Sequence, residues 1–217
     1  MSCILLIMEK FFTCSETVDL PCLLPEDAIW RRLGRNRYLS SVSAAESVKF
    51  KLAMHQAFEL CRPQGRWLLA PVRLLDAATV LVFDDWRLDS VPFAEFASGA
   101  DWLWLGAVTV GRQVAELIAA SGNDMAAAAI YDAVGSEVAD QAIGLLQKIA
   151  DGELVRSGLR IHMRRFSPGY GNLSLQQTQR RFFEVLELEQ LQMSLTPSCI
   201  MQPEKSVTAF AAVKKII

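Results

Sequence analysis

Residues 159–171 read Leu159-Arg160-Ile161-His162-Met163-Arg164-Arg165-Phe166-Ser167-Pro168-Gly169-Tyr170-Gly171. The first eight alternate. Leu159, Ile161 and Met163 point one way, and Arg160, His162 and Arg164 point the other, the period of a strand with one buried and one solvated face. Pro168 presets its φ and Gly169 accepts a positive φ, so the Pro-Gly pair predicts a type II turn. Ser174-Leu175-Gln176-Gln177 then fits a capping box and starts a helix carrying Phe182, Phe183 and Leu186.

Outward from this unit, strands and helices mix without regular βαβ alternation. Trp102 to Thr109 reads as a buried strand. Trp67 to Val72 and Thr79 to Phe83 are β-type runs that can pair, with Asp84-Asp85 as a turn. Phe50, Ala53, Met54, Ala57, Phe58 and Cys61 recur at helical spacing before Pro63-Gln64-Gly65 breaks the pattern. Gly111 opens a helix with Val114, Leu117 and Ile118 on one face. A long helical stretch follows from about Asp124 to Ala150, its apolar face Ile130, Val134, Val138, Ala142, Leu145 and Ile149. Gly135-Ser136 within it is a candidate kink or break. Two further β-like runs, Met193 to Met201 and Ser206 to Val213, close the chain. The expected fold is α+β, a single domain over residues 1–217 with a mainly antiparallel sheet and packed helices.

The composition excludes several classes. Hydrophobic residues make up 52% of 217 and charged residues 21%, which fits a globular core and not a disordered chain. Net charge is −2, from 22 basic and 24 acidic residues, so no nucleic-acid partner is expected. The longest uncharged, mainly apolar stretch, Trp102 to Gly111, is about half of the ~20 residues a membrane span needs. The N-terminal apolar run is short and no basic residue precedes it, so no secretory signal is expected and the chain reads as cytoplasmic. Cys3, Cys14, Cys22, Cys61 and Cys199 contain no C-x-x-C pair, and free thiols are expected rather than disulfides or zinc. The only histidines, His55 and His162, lie far apart. His55 reads as structural beside an apolar helix face, and His162 as exposed or paired. No H-E-x-x-H, G-x-S-x-G, P-loop or G-x-G-x-x-G motif occurs.

The chemistry concentrates at Arg164 to Gly171. Glycines flank Tyr170, so backbone groups there can approach a ligand closely. Arg165 at the strand end can fork onto a carboxylate or phosphate, and Tyr170 offers a ring and a hydroxyl. Spacing alone favours the plain reading, a β-to-α connection with a surface arginine, because Pro-Gly turns are common. Glu137 and Asp140, opposite the apolar face of the long helix, are candidates to meet a ligand cation, against the plain reading of a solvated helix face.

Arg165-Phe166-Ser167-Pro168-Gly169-Tyr170 resembles the Arg-x-x-Pro-Gly-Tyr loop of the activation (reactivation) domain of cobalamin-dependent methionine synthase, and Ser-Pro-Gly-Tyr-Gly is common in its stand-alone relatives. Leu195-Thr196-Pro197-Ser198 with Met201-Gln202-Pro203-Glu204-Lys205-Ser206-Val207 is similar to the family's Leu-Thr-x-Ser…Met-x-Pro-x-x-Ser-Val segment. Ala107-Val108-Thr109-Val110-Gly111 and Ala133-Val134-Gly135-Ser136 are weaker echoes, as is Arg32-Leu33-Gly34. The resemblance is clearest over residues 102–213. The chain departs from the fused domain at Gly171-Asn172-Leu173, where that domain has Pro-Ala-Cys.

The resemblance implies S-adenosylmethionine binding by Arg165 and Tyr170, with Ser167, Pro168 and Gly169 supplying backbone; for such a ligand, Glu137 and Asp140 are the helix-face candidates to meet its ammonium or sulfonium. It also implies reductive methylation of a cobalamin carried by a methionine synthase or another corrinoid protein, with a reductant such as flavodoxin or ferredoxin. The sequence has no Asp-x-His-x-x-Gly corrinoid motif of its own. Service to a different corrinoid methyltransferase, or a degenerate module that binds without turnover, are the alternatives. Trp102, Trp104 and Leu23-Leu24 are candidates for a docking surface, with buried core the preferred reading for the tryptophans.

Overall fold

In a computed structural model, which describes residues 14–34 and 43–216, the apolar runs pair into one antiparallel sheet. Cys3 and the N-terminal apolar run lie outside the described residues. In chain order the elements are β1 (Val18–Asp19), α1 (Glu26–Arg32), α2 (Ala44–Phe58), β2 (Gln64–Leu74), β3 (Thr79–Val82), β4 (Trp86–Asp89), α3 (Val91–Ala97), β5 (Trp102–Thr109), α4 (Gln113–Ala120), α5 (Met125–Val155), β6 (Leu159–Phe166), α6 (Leu175–Val185), a 3-10 turn (Leu188–Leu191), β7 (Ser194–Leu195), β8 (Met201–Gln202) and β9 (Ser206–Lys215). The main sheet runs β4-β3-β2-β5-β9-β6, with β1 also on β2, while β7 and β8 form a separate hairpin.

The continuous apolar run of β5 follows from its central place. Leu103, Leu105 and Ala107 face a core under α3, α6 and the 3-10 turn, whereas Trp104 and Val108 face a core under α5. A strand buried on both faces has no reason to alternate. A third cluster joins α1, α2 and α4 to the N-terminal half of α5 through Ile29, Met54, Val114, Ile130 and Val134. Trp104 is fully buried, and Trp102 is half-buried with Lys215 over its ring. Leu23 is exposed, and Leu24 packs on the third cluster. No helix among the described residues is long and apolar enough to cross a membrane.

Several sequence expectations are corrected. Gly135-Ser136 does not break the long helix, because α5 runs unbroken through it for 31 residues. The glycine makes room instead: a Cβ there would lie 2.8 Å from Cγ of Lys205, whose ammonium reaches Asp132 and Ser136 on α5. The buried stripe of α5 continues past Ala142 to Leu146, Ala150 and Leu154, leaving Leu145 and Ile149 half-buried. Steps of four wind by about 40° each, since a turn takes 3.6 residues. That winding carries the stripe from the neighbouring helices onto the sheet.

His55 is exposed rather than packed. Gln64-Gly65 is already strand, because β1 and β5 pair with it on either side. Met193 to Met201 is two two-residue strands around a loop, where Thr196 exchanges hydrogen bonds with the backbone of Ile200. β4 follows the expected turn at Asp84-Asp85, and its register with β3 places Val82 opposite Trp86.

Candidate functional site

β6 is an edge strand, and its pairing with β9 is interrupted. Ile161 faces Val213 and Arg165 faces Ala211, so three residues of β6 stand against one of β9. The two extra residues form a bulge, a common device for re-aiming a side chain at a sheet edge. Met163, expected on the buried face with Leu159 and Ile161, is extruded and 80% exposed. The even count preserves the alternation beyond the bulge. Ala211 belongs to the core under α5, and Phe210 to the core on the opposite face. Arg165 therefore lies on the α5 side, and Phe166 packs opposite with Phe93 and Phe96.

The bulge is tied to α5 by two side chains. Gln147, 6% exposed, donates from Nε2 to the carbonyl of His162 at 2.8 Å and accepts at Oε1 from Nη1 of Arg165 at 2.9 Å. Asp151 accepts from the backbone N–H of Ile161 at 2.8 Å and pairs with Arg160 at 3.3 Å. Within the bulge, Nδ1 of the exposed His162 accepts from the N–H of Arg164 at 3.2 Å. Sequence reading passed over Gln147. Its one signal was a polar residue between Leu146 and Ala150 on the buried part of a helix.

Beside Arg165 the helix surface is open. Nη1 lies 3.7 Å from the point that a Cβ on Gly144 would occupy. Asp140, Gly144 and Gln147 stand at i, i+4 and i+7, so they share one stripe of α5. Seven residues rise about 10 Å. The stripe thus carries a carboxylate at one end, a glycine floor, and a guanidinium held by an amide at the other. Glu137 and Asp140 both face Arg32 of α1, at 2.6 and 3.5 Å, so the two acids expected near a ligand cation already have one from the protein. Asp140 remains 59% exposed, whereas Glu137 is 17% exposed.

The loop after β6 is a type II turn, as the Pro-Gly pair predicted. The N–H of Tyr170 donates to the carbonyl of Ser167 at 3.3 Å, and Gly169 has φ +87°. The ring of Tyr170 is 70% exposed. The hydroxyl of Ser90 donates to the carbonyl of Gly171 and anchors the turn to α3. Ser167 and Pro168 do not face Arg165's stripe. They line a groove of about 290 Å³ with Leu175, Gln179, Ile200 and Thr208. Thr208 is next to Ala209, which packs under α5, so it points to the α6 side of the sheet. The expected site residues are therefore split: Arg165 and Asp140 share the α5 side, and Ser167 and Pro168 line a groove on the other.

Cys14, Cys22 and Cys61 stay protonated at neutral pH. Burial pushes Cys14 and Cys22 up to about 11 and Cys61 up to about 12. No group of three His, Cys, Asp or Glu side chains that could hold a metal ion occurs among the described residues.

Neither a scan against protein-family models nor a search of curated proteins gives a match. Among solved structures, the chain is similar to the MetH reactivation domain bound to AdoHcy, with a TM-score of 0.64 and 17% sequence identity. The likeness covers 93% of this chain and 78% of that one. At this identity it establishes the fold: an α+β domain with a mainly antiparallel sheet and packed helices, as in that reactivation domain.

Proposed function

We propose, on the premise of this shared fold, that the chain binds S-adenosylmethionine along the Asp140–Gly144–Arg165 stripe and presents it to a cobalamin carried by a partner protein. The carrying observation is Arg165: exposed, on the α5 side of the sheet, its guanidinium oriented by Gln147 beside a glycine floor. The ligand's carboxylate would take the free edge of that guanidinium, which offers planar, paired donors. Its ammonium and sulfonium would lie toward Asp140, within the roughly 10 Å that seven helical residues span. The turn at Ser167-Pro168-Gly169-Tyr170 closes the strand end, and Tyr170, 70% exposed, would have to reach around that end to cover the bound molecule.

The sulfonium needs no acid or base to activate its methyl group, so the lack of a catalytic histidine is no obstacle. The cobalamin would supply a reduced cobalt nucleophile that takes the methyl group, the sulfur keeping its electron pair as S-adenosylhomocysteine leaves. The chain's own contribution is orientation of one reactant. The partner would be a methionine synthase or another corrinoid protein, and the electron would come from a reductant such as flavodoxin or ferredoxin.

One observation favours a degenerate module: Arg32 already pairs with both Glu137 and Asp140, which weakens their pull on a ligand cation. Thermal shift and calorimetry with S-adenosylmethionine, ATP and NADH test the ligand. A ligand bound only to the native state adds about 2.7 kcal/mol at a hundredfold excess over Kd. S-adenosylmethionine should raise Tm and the two nucleotides should not; no response at millimolar S-adenosylmethionine discards the reading. Methylation assays with a cobalamin-loaded partner and a low-potential reductant then separate a reactivating component from a silent module.

A further inference from the structure

The groove on the α6 side has a feature that folding does not require. Gln179 of α6 is 1% exposed and sits one turn before the fully buried Phe182. Its Oε1 accepts from Oγ1 of Thr208 at 3.0 Å, which fixes the amide. Its Nε2 is buried and has no hydrogen-bond partner among the described residues. A buried donor left unpaired is costly, and such groups are rare in folded proteins. A leucine at this helix position would carry no unpaired donor, though it would take the acceptor from the Thr208 hydroxyl. Gln179 lines the groove together with Pro168, Leu175, Ile200 and Glu204. Leu175 is 41% and Ile200 54% exposed, so the apolar walls are open to solvent.

We infer that this groove is a second binding site, for an uncharged molecule of about one fused ring system that presents a hydrogen-bond acceptor to Nε2 of Gln179. The size follows from the volume of about 290 Å³, at the lower limit of small-molecule pockets. The acceptor follows from the amide, whose oxygen is already engaged and whose nitrogen is not. The absence of negative charge follows from Glu204, whose carboxylate would repel an anion and accept from a ring N–H. The groove includes Ser167 and Pro168, which the resemblance gives to S-adenosylmethionine, but it lies on the face of the sheet opposite Arg165, which carries the proposed function.

Benzimidazole and indole test this, since both carry a ring N–H and only benzimidazole has an acceptor nitrogen. The native protein is titrated with each near neutral pH, following backbone and side-chain amide resonances by NMR. Benzimidazole should give saturable shifts at Gln179, Leu175 and Ile200, and indole should bind about tenfold more weakly or worse, the factor for one lost hydrogen bond. In Gln179→Met, which also takes the acceptor from the Thr208 hydroxyl, the preference for benzimidazole should vanish. Equal binding of the two rings, no saturable shift from either, or a preference that survives in folded Gln179→Met overturns the inference. Should Gln179→Met fail to fold, the comparison of the two rings on the native protein decides.

Discussion

Arg165 and Gln147 are joined by a hydrogen bond of 2.9 Å from Nη1 to Oε1, between an exposed edge strand and a buried position of the longest helix. The same amide donates to the carbonyl of His162, so one side chain holds both the strand bulge and the guanidinium beyond it. The orientation of the candidate binding arginine is thus set from the helix and not from its own loop.

Arg165→Ala should weaken S-adenosylmethionine binding by roughly ten- to a hundredfold, the loss of a hydrogen bond to a charged group. Arg165→Lys should recover only part of this, because the ammonium lacks the planar fork. Arg164→Ala should leave affinity nearly unchanged, since Arg164 lies within the bulge and is exposed. Calorimetric titration of the three variants, with circular dichroism for folding, checks the order; equal losses at both arginines would refute the assignment.

Gln147→Leu leaves the His162 carbonyl and the Arg165 guanidinium without their partner. Stability should fall by about 0.5–1.5 kcal/mol for each lost hydrogen bond, since water can reach both freed groups. Affinity for S-adenosylmethionine should fall severalfold with it. Hydrogen exchange at residues 161–165 should rise more than at β5. Unchanged exchange there would show that the amide does not hold the bulge.

Gly144 separates helix stability from ligand space. The nearest atom to an added Cβ is the Arg165 guanidinium at 3.7 Å, an ordinary contact. Gly144→Ala should raise stability by up to about 1 kcal/mol through helix propensity. Gly144→Leu should keep the fold but fill the floor between Asp140 and Arg165, and S-adenosylmethionine binding should be lost. Denaturant melts and calorimetry of both variants test this, and undiminished binding by Gly144→Leu would move the ligand elsewhere.

The thiols predict an alkaline limit to stability. Burial raises Cys14 and Cys22 to about 11 and Cys61 to about 12 from the ordinary 9.0. Below pH 9 these thiols are protonated in both states, and their contribution is fully present. Above pH 9 the unfolded chain ionises first, so stability is lost as pH rises through the folded values. Urea melts between pH 8 and pH 11, estimated from the same linkage as roughly the accessible window, should show falling midpoints. Cys61→Ala should reduce the slope, and an unchanged slope would assign the loss to other groups.

The fold class was legible in local pattern. The apolar run of β5, the alternation of Leu159, Arg160 and Ile161, and the Pro168-Gly169 turn are properties of neighbours in the chain, and the structure contains them. The motif around Arg165 was legible as well, and strand alternation put Arg165 and Arg164 on different faces. What the chain's local pattern left open was every decision made across long sequence separations. The bulge arises because β9 offers one residue where β6 has three and because Gln147, fifteen residues before His162, captures the displaced carbonyl. Gly135 read as a helix breaker because propensity counts only the helix, whereas Lys205 crosses it from seventy residues away. Glu137 and Asp140 read as free acids because Arg32 meets them only when α1 packs on α5. Ser167 and Pro168 adjoin Arg165 in sequence yet line another groove, since β6 ends at Phe166 and strand alternation no longer governs the turn that follows. Periodicity is written by the nearest few residues, while partners and sidedness are decided by packing between segments that the chain keeps far apart.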